Sequence, residues 1–183
     1  PLTTYAYTGD LVLPVTLSSP AGGPLAVTAH ATWLVCATVC VPEEGDFSLV
    51  LPAAALAPPS AQAPLFAAAD AALPRPAPFT AVVTPEHILA VTGEGLSPAS
   101  VRDAYFYPGA WGLIDQNAPQ TQDVRAGGLT LSLRPAPSAK ADRSIQGVLV
   151  LRDAAGAARA FDLAAAPGPL PALFGAPSAA QHA

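Results

Sequence analysis

The sequence has no methionine, and it has no lysine or arginine before Arg75. Charged side chains make up only 11% of its 183 residues, against ~25% in ordinary soluble domains. Each scarcity carries information. Eight cations against thirteen carboxylates, a net charge of −5, argue against a nucleic-acid binder, which needs a basic patch to neutralise phosphates. No apolar run reaches the ~18 residues of a membrane-spanning helix. No signal peptide is visible, and a chain opening at Pro1 without methionine is expected of a processed or excised piece. There is no G-x-S-x-G, no P-loop and no paired-carboxylate motif, so hydrolase and nucleotide-binding readings have no support. Cysteine is down to two residues, Cys36 and Cys40.

Proline and glycine are plentiful, 22 and 14 residues respectively. Proline at this frequency cannot sit inside long helices, so the composition favours short strands joined by turns. The hydrophobic fraction of 51% is rich in alanine, so the usable core is smaller than it suggests. Leu11–Ser18 reads as a strand, with Pro14 marking an edge or bulge. Leu25–Cys36 alternates: Leu25, Val27, Ala29, Ala31, Trp33 and Val35 lie on one face. His30, the threonines and Cys36 lie on the other, as in a half-buried antiparallel strand. Phe47–Leu51 is a further strand.

Residues 52–63 read as a linker, and Pro64–Leu73 as a short helix with proline in its first turn. An extended connector, 74–78, leads to a second block of strands. These are expected at Phe79–Thr84, His87–Thr92, Val101–Tyr107, Leu129–Arg134, Ile145–Leu151 and Ala158–Leu163. Turn signals between them suit a β-sandwich. The tail from Ala164 reads as a linker. The expectation is an all-β chain of two immunoglobulin-like sandwich units. A cysteine-bearing unit spans 1–58, a linker with a short helix 59–78, a second sandwich 79–166, and an Ala/Pro-rich tail 167–183.

The chemistry concentrates at Cys36 and Cys40. Along one extended strand, four residues span about 13 Å, too far for a disulfide. A three-residue loop, Ala37–Val39, would fold the chain back and bring the two within bonding range. Three readings stay open: a redox pair, a structural disulfide, and a Cu(I) site. As a staple the pair is poor, because closing a five-residue loop is worth only about 2 kcal/mol. Glu43 and Glu44 raise a nearby thiol pKa rather than lower it, so the pair suits attack by a partner's thiolate. Zinc needs four ligands, and His30, His87 and His182 are scattered; His30 shares the strand parity of Cys36. The aromatic run Tyr105-Phe106-Tyr107-Pro108, Trp111 and the polar loop Asp115–Gln120 read as core packing plus a turn, or as a docking surface.

The motif W-L-V-C-A-T-V-C-V-P-E, with Phe47-Ser-Leu after it, resembles the cysteine motif of DsbD-type thiol:disulfide interchange proteins. Its C-x3-C spacing is similar to that of the suppressor-of-copper-sensitivity (ScsB-like) branch. Ala104–Pro108, Gly112–Asp115, Ala118–Gln120 and Gly147-Val-Leu resemble that branch's periplasmic region. The resemblance implies a periplasmic protein-disulfide reductase domain of a larger membrane protein, attached to the membrane only through downstream domains. It implies Cys36 and Cys40 as the exchanging pair, with no cofactor and no resident metal. The electron donor would be a thioredoxin-like domain of the same protein, and the acceptors periplasmic thioredoxin-fold or other disulfide-containing proteins. The first sandwich is expected to be short of its opening strands. The copper reading and a non-catalytic interaction domain stand as alternatives.

Overall fold

A computed structural model describes residues 5–7, 9–18, 23–52, 58–137, 139 and 143–175. Among the described residues the chain is all-β with one short α-helix, and it divides into two units. One is drawn from residues 10–71, the other from the residues before 10 and from 72 onward.

The larger unit contains eight strands: β3 (Arg75–Pro76), β4 (Thr80–Val83), β5 (Ile88–Thr92), β6 (Asp103–Pro108), β7 (Thr121–Arg125), β8 (Gly128–Ser132), β9 (Ile145–Arg152) and β10 (Ala158–Pro167). Their order is β6-β9-β10-β4-β5-β8-β7, with β3 beside β10. β10 joins the two halves. It pairs antiparallel with β9 over Ala158–Ala165, then its last residues, Ala166 and Pro167, run parallel to Val82 and Val83 of β4. The core follows from strand parity. Leu149 and Leu151 of β9, Leu89 and Val91 of β5, Leu129 and Leu131 of β8, and Phe106 of β6 are all fully buried. In β6, β8 and β9 these alternate with more exposed residues, as a sandwich with one wet side per sheet requires, whereas in β5 Ala90 between Leu89 and Val91 is buried as well.

Most expected strands form here within a few residues of their expected ends. β7 was not expected. Its sequence, TQDVR, is polar, and it is held by its ladder with β8. β10 runs to Pro167, past the linker expected from Ala164. Beyond it a 3₁₀ turn at Ala172–Phe174 buries Phe174, with Arg125 over its ring at 5.6 Å. The aromatic run divides: Phe106 is buried, whereas Tyr107 is exposed and meets both Tyr5 and Tyr105 edge-on or tilted. Trp111 is 85% exposed.

The smaller unit contains β1 (Leu25–Cys36), β2 (Cys40–Leu51) and α1 (Ala63–Ala72). β1 and β2 form one long hairpin with twelve paired positions, from Leu25↔Leu51 to Cys36↔Cys40. The strand expected at 11–18 joins no ladder; those residues are described outside any strand and exposed. Pairing needs a partner, and alternating apolar residues supply only the propensity. No described residue of 10–71 is buried.

Candidate functional site

The candidate site is the tip of the β1–β2 hairpin. Ala37–Val39 reverse the chain and carry Cys36 opposite Cys40. The two are joined by a disulfide of 2.04 Å with Cα atoms 4.0 Å apart. The N–H of Ala37 donates to the carbonyl of Val39 at 3.1 Å. That bond fixes the phase of the whole ladder. In an antiparallel pair, hydrogen-bonded and non-hydrogen-bonded positions alternate. The bonded pairs are therefore Val35↔Val41 and Trp33↔Glu43. Cys36↔Cys40, Leu34↔Pro42, Thr32↔Glu44 and His30↔Asp46 are non-bonded pairs, whose side chains approach more closely.

Pro42 fits this phase. It has no N–H, and at a non-bonded position that N–H would point away from β1, so its absence costs the ladder nothing. The cysteines, Leu34, Pro42, Glu44, His30 and Asp46 share one face. The opposite face carries Trp33, Val35, Val41, Phe47 and Leu49, all exposed. The Trp33 indole N–H donates to Glu43 Oε2 at 2.9 Å, tying the strands three positions below the disulfide. Gly45 lies between the two large rings. A Cβ there would sit 3.0 Å from the Phe47 ring and 3.4 Å from Trp33.

His30 does not join the cysteines. It lies six residues back along β1, about 20 Å at strand spacing. Its Nδ1 meets Asp46 Oδ1 at 2.8 Å and its Nε2 lies 3.8 Å from Glu44. His87 lies in the other unit, in the β4–β5 turn, and His182 lies outside the described residues. Among the described residues, no group of three or more His, Cys, Asp or Glu could hold a metal ion. His30 lies too far along β1 to share a ligand set with Cys36 and Cys40.

Charge is segregated with the disulfide. Residues 10–71 contain Asp10, Glu43, Glu44, Asp46 and Asp70 and no lysine or arginine, so this unit holds the chain's whole net charge of −5. The rest of the chain balances eight cations against eight carboxylates. The significance of Pro42 and of the Trp33–Glu43 and His30–Asp46 pairs escaped the sequence reading. Once the Ala37–Val39 turn is assumed, counting outward from it would have found all three.

Residues 1–52 match the family described as thiol:disulfide interchange protein DsbD, N-terminal. The matched stretch contains the whole hairpin, with both cysteines, and supports a DsbD-type thiol–disulfide exchange domain there. It covers less than a third of the chain. No curated protein and no solved structure matches. Among the described residues, no helix is long and apolar enough to cross a membrane.

Proposed function

We propose that the hairpin is the exchanging element of a protein-disulfide reductase, with Cys36 and Cys40 as the redox pair. The observation that carries this reading is the disulfide at an exposed turn, inside the stretch that matches the DsbD N-terminal family. A thiolate of a reduced partner attacks one sulfur of the pair. The S–S bond breaks, a mixed disulfide forms, and the other cysteine leaves as a thiolate. The partner's second thiolate then attacks the mixed disulfide and releases the ribbon as a dithiol. Two electrons have moved, and the partner is left oxidised. The dithiol reduces an acceptor's disulfide by the same steps in reverse.

The short ring suits this use better than stapling, since a five-residue loop constrains the unfolded chain little. The DsbD family is periplasmic, and an oxidising compartment is where such a disulfide persists. We place the domain there. The donor is a thioredoxin-like domain, the acceptors are thioredoxin-fold proteins, and the C-x3-C spacing aligns the chain with the ScsB-like branch.

The test is the reduction potential of the pair, by equilibration in glutathione and dithiothreitol buffers with thiol alkylation as readout. The expected value lies in the range of thioredoxin-type relays, roughly −200 to −270 mV. A value well below about −300 mV would make the bridge a staple and overturn the relay. Tight stoichiometric Cu(I) capture by the reduced pair, surviving competition, would overturn it in favour of metal handling.

A further inference from the structure

The two long edges of the ribbon are not equivalent. Among the described residues, no third strand pairs with β1 or β2. By the ladder phase, the outward N–H and C=O groups beside the disulfide belong to Thr32, Leu34 and Cys36 on β1, and to Cys40, Pro42 and Glu44 on β2. Pro42 offers no donor, and Glu43, Glu44 and Asp46 put three carboxylates on that strand within six residues of Cys40. Proline and charge are the devices that blunt an edge against strand addition. β1 has neither. From Leu25 to Cys36 it contains no proline, lysine, arginine, aspartate or glutamate. An extended, unblunted edge is a template for another chain, and this one ends at a reactive sulfur.

Charge narrows what can sit there. A second copy of this chain would bring another unit of net charge −5 against the first. A segment flanked by cations meets the complementary field, which steers encounter and raises association rates. We infer that the redox partner docks by adding the extended segment around its own cysteine as a strand to the outer edge of β1 at Thr32–Cys36, and that this segment is rimmed by lysine or arginine. The inference rests on the exchange reading and adds the partner's conformation and charge.

The test uses the full chain with Cys40→Ser, and separately Cys36→Ser. In each, the remaining cysteine is loaded as a mixed disulfide with thionitrobenzoate. A peptide thiolate attacks that sulfur, the peptide–protein disulfide forms, and thionitrobenzoate leaves as the coloured thiolate. The probes are the acetylated, amidated peptides Lys-Val-Cys-Val-Lys and Glu-Val-Cys-Val-Glu. Each is also made with backbone N-methylation on one or the other alternating set of amides. Mercaptoethanol reports the intrinsic reactivity of the loaded sulfur.

At low ionic strength, the lysine peptide should react about tenfold faster on the parent than on the same chain carrying Glu43→Gln, Glu44→Gln and Asp46→Asn. The glutamate peptide should show the opposite order, and mercaptoethanol, whose thiolate carries one negative charge, only a small change in the glutamate peptide's direction. Because each peptide is compared with itself, its own thiol reactivity cancels. N-methylation of one alternating set should slow the lysine peptide several-fold, while the other set has no effect. Thr32→Pro should slow it as well, with mercaptoethanol unchanged. Equal rates on the charged and neutralised chains, or no alternation between the methylated sets, would overturn the inference. A dimer of the chain abolished by Thr32→Pro would also overturn it, by giving the edge to a second copy. None of these outcomes touches the reduction potential, so failure here is distinct from failure of the exchange reading.

Discussion

The side-chain amide of Gln120 stands in for a missing strand against Phe106. Its Oε1 accepts the Phe106 N–H at 2.8 Å, and its Nε2 donates to the Phe106 carbonyl at 2.7 Å. β6 is the last strand of its sheet, so both backbone groups face away from β9, yet the Phe106 side chain is fully buried. Gln122 adds a second tie, from its Nε2 to the Arg102 carbonyl at 2.9 Å. The end of the polar loop and the start of β7 therefore close the sandwich edge.

Gln120→Ala should cost about 1–3 kcal/mol, the penalty for leaving buried backbone groups unpaired. Gln120→Glu keeps an acceptor and loses the donor, so it should fall in the same range. Urea unfolding of both variants, with an unchanged slope and a lowered midpoint, is the check. Midpoints equal to that of the parent would show that water replaces the amide.

Gly147 of β9 lies between Pro108 of β6 and Leu163 of β10. A Cβ on it would collide with the Tyr107 carbonyl and approach the Phe106 ring to 2.7 Å. Backbone on one side and a fully buried ring on the other leave no room to yield. Gly147→Ala should destabilise by about 2 kcal/mol or more, as overpacking does, seen as a lowered Tm. An unshifted melting curve would contradict this register.

Glu86, fully exposed in the β4–β5 turn, has its carboxyl pKa held below the ordinary glutamate range. The main cause is a hydrogen bond from the Thr84 side chain, with its own backbone N–H and His87 contributing further. A carboxyl lowered on folding contributes stability above its unfolded pKa of about 4.3, and that contribution is lost as the pH falls through the folded value. Thr84→Val should raise the Glu86 pKa toward the unfolded value in an NMR titration and flatten this acid-side loss. An unmoved titration would place the cause elsewhere.

Strand parity made much of this molecule legible. The alternation over 25–36 marked β1 to the residue, but the half-buried face it predicts is not formed, since Trp33 and Val35 are exposed. The C-x3-C spacing left room for a three-residue turn, and Ala37–Val39 form it. The misreadings fall where pairing or packing is non-local. β7 is polar and exists through its ladder with β8, and Leu11–Ser18 has the pattern of a strand without a ladder. Phe174 is a single aromatic in an Ala/Pro-rich tail, and no periodicity announces that it is buried. In the candidate site, the spacing permitted a Cys36–Cys40 bridge given a turn, and the structure has that bridge. The inequality of the two edges was not legible, because it depends on which residues exchange hydrogen bonds across the ladder.

The five-residue ring has a consequence for turnover. The loop is closed by the Ala37–Val39 backbone bond, and the next rung is Val35↔Val41, neither of which involves sulfur. Opening the S–S bond leaves this scaffolding standing. On the exchange reading proposed above, the tip would then take up and give up electrons without a refolding step between turnovers.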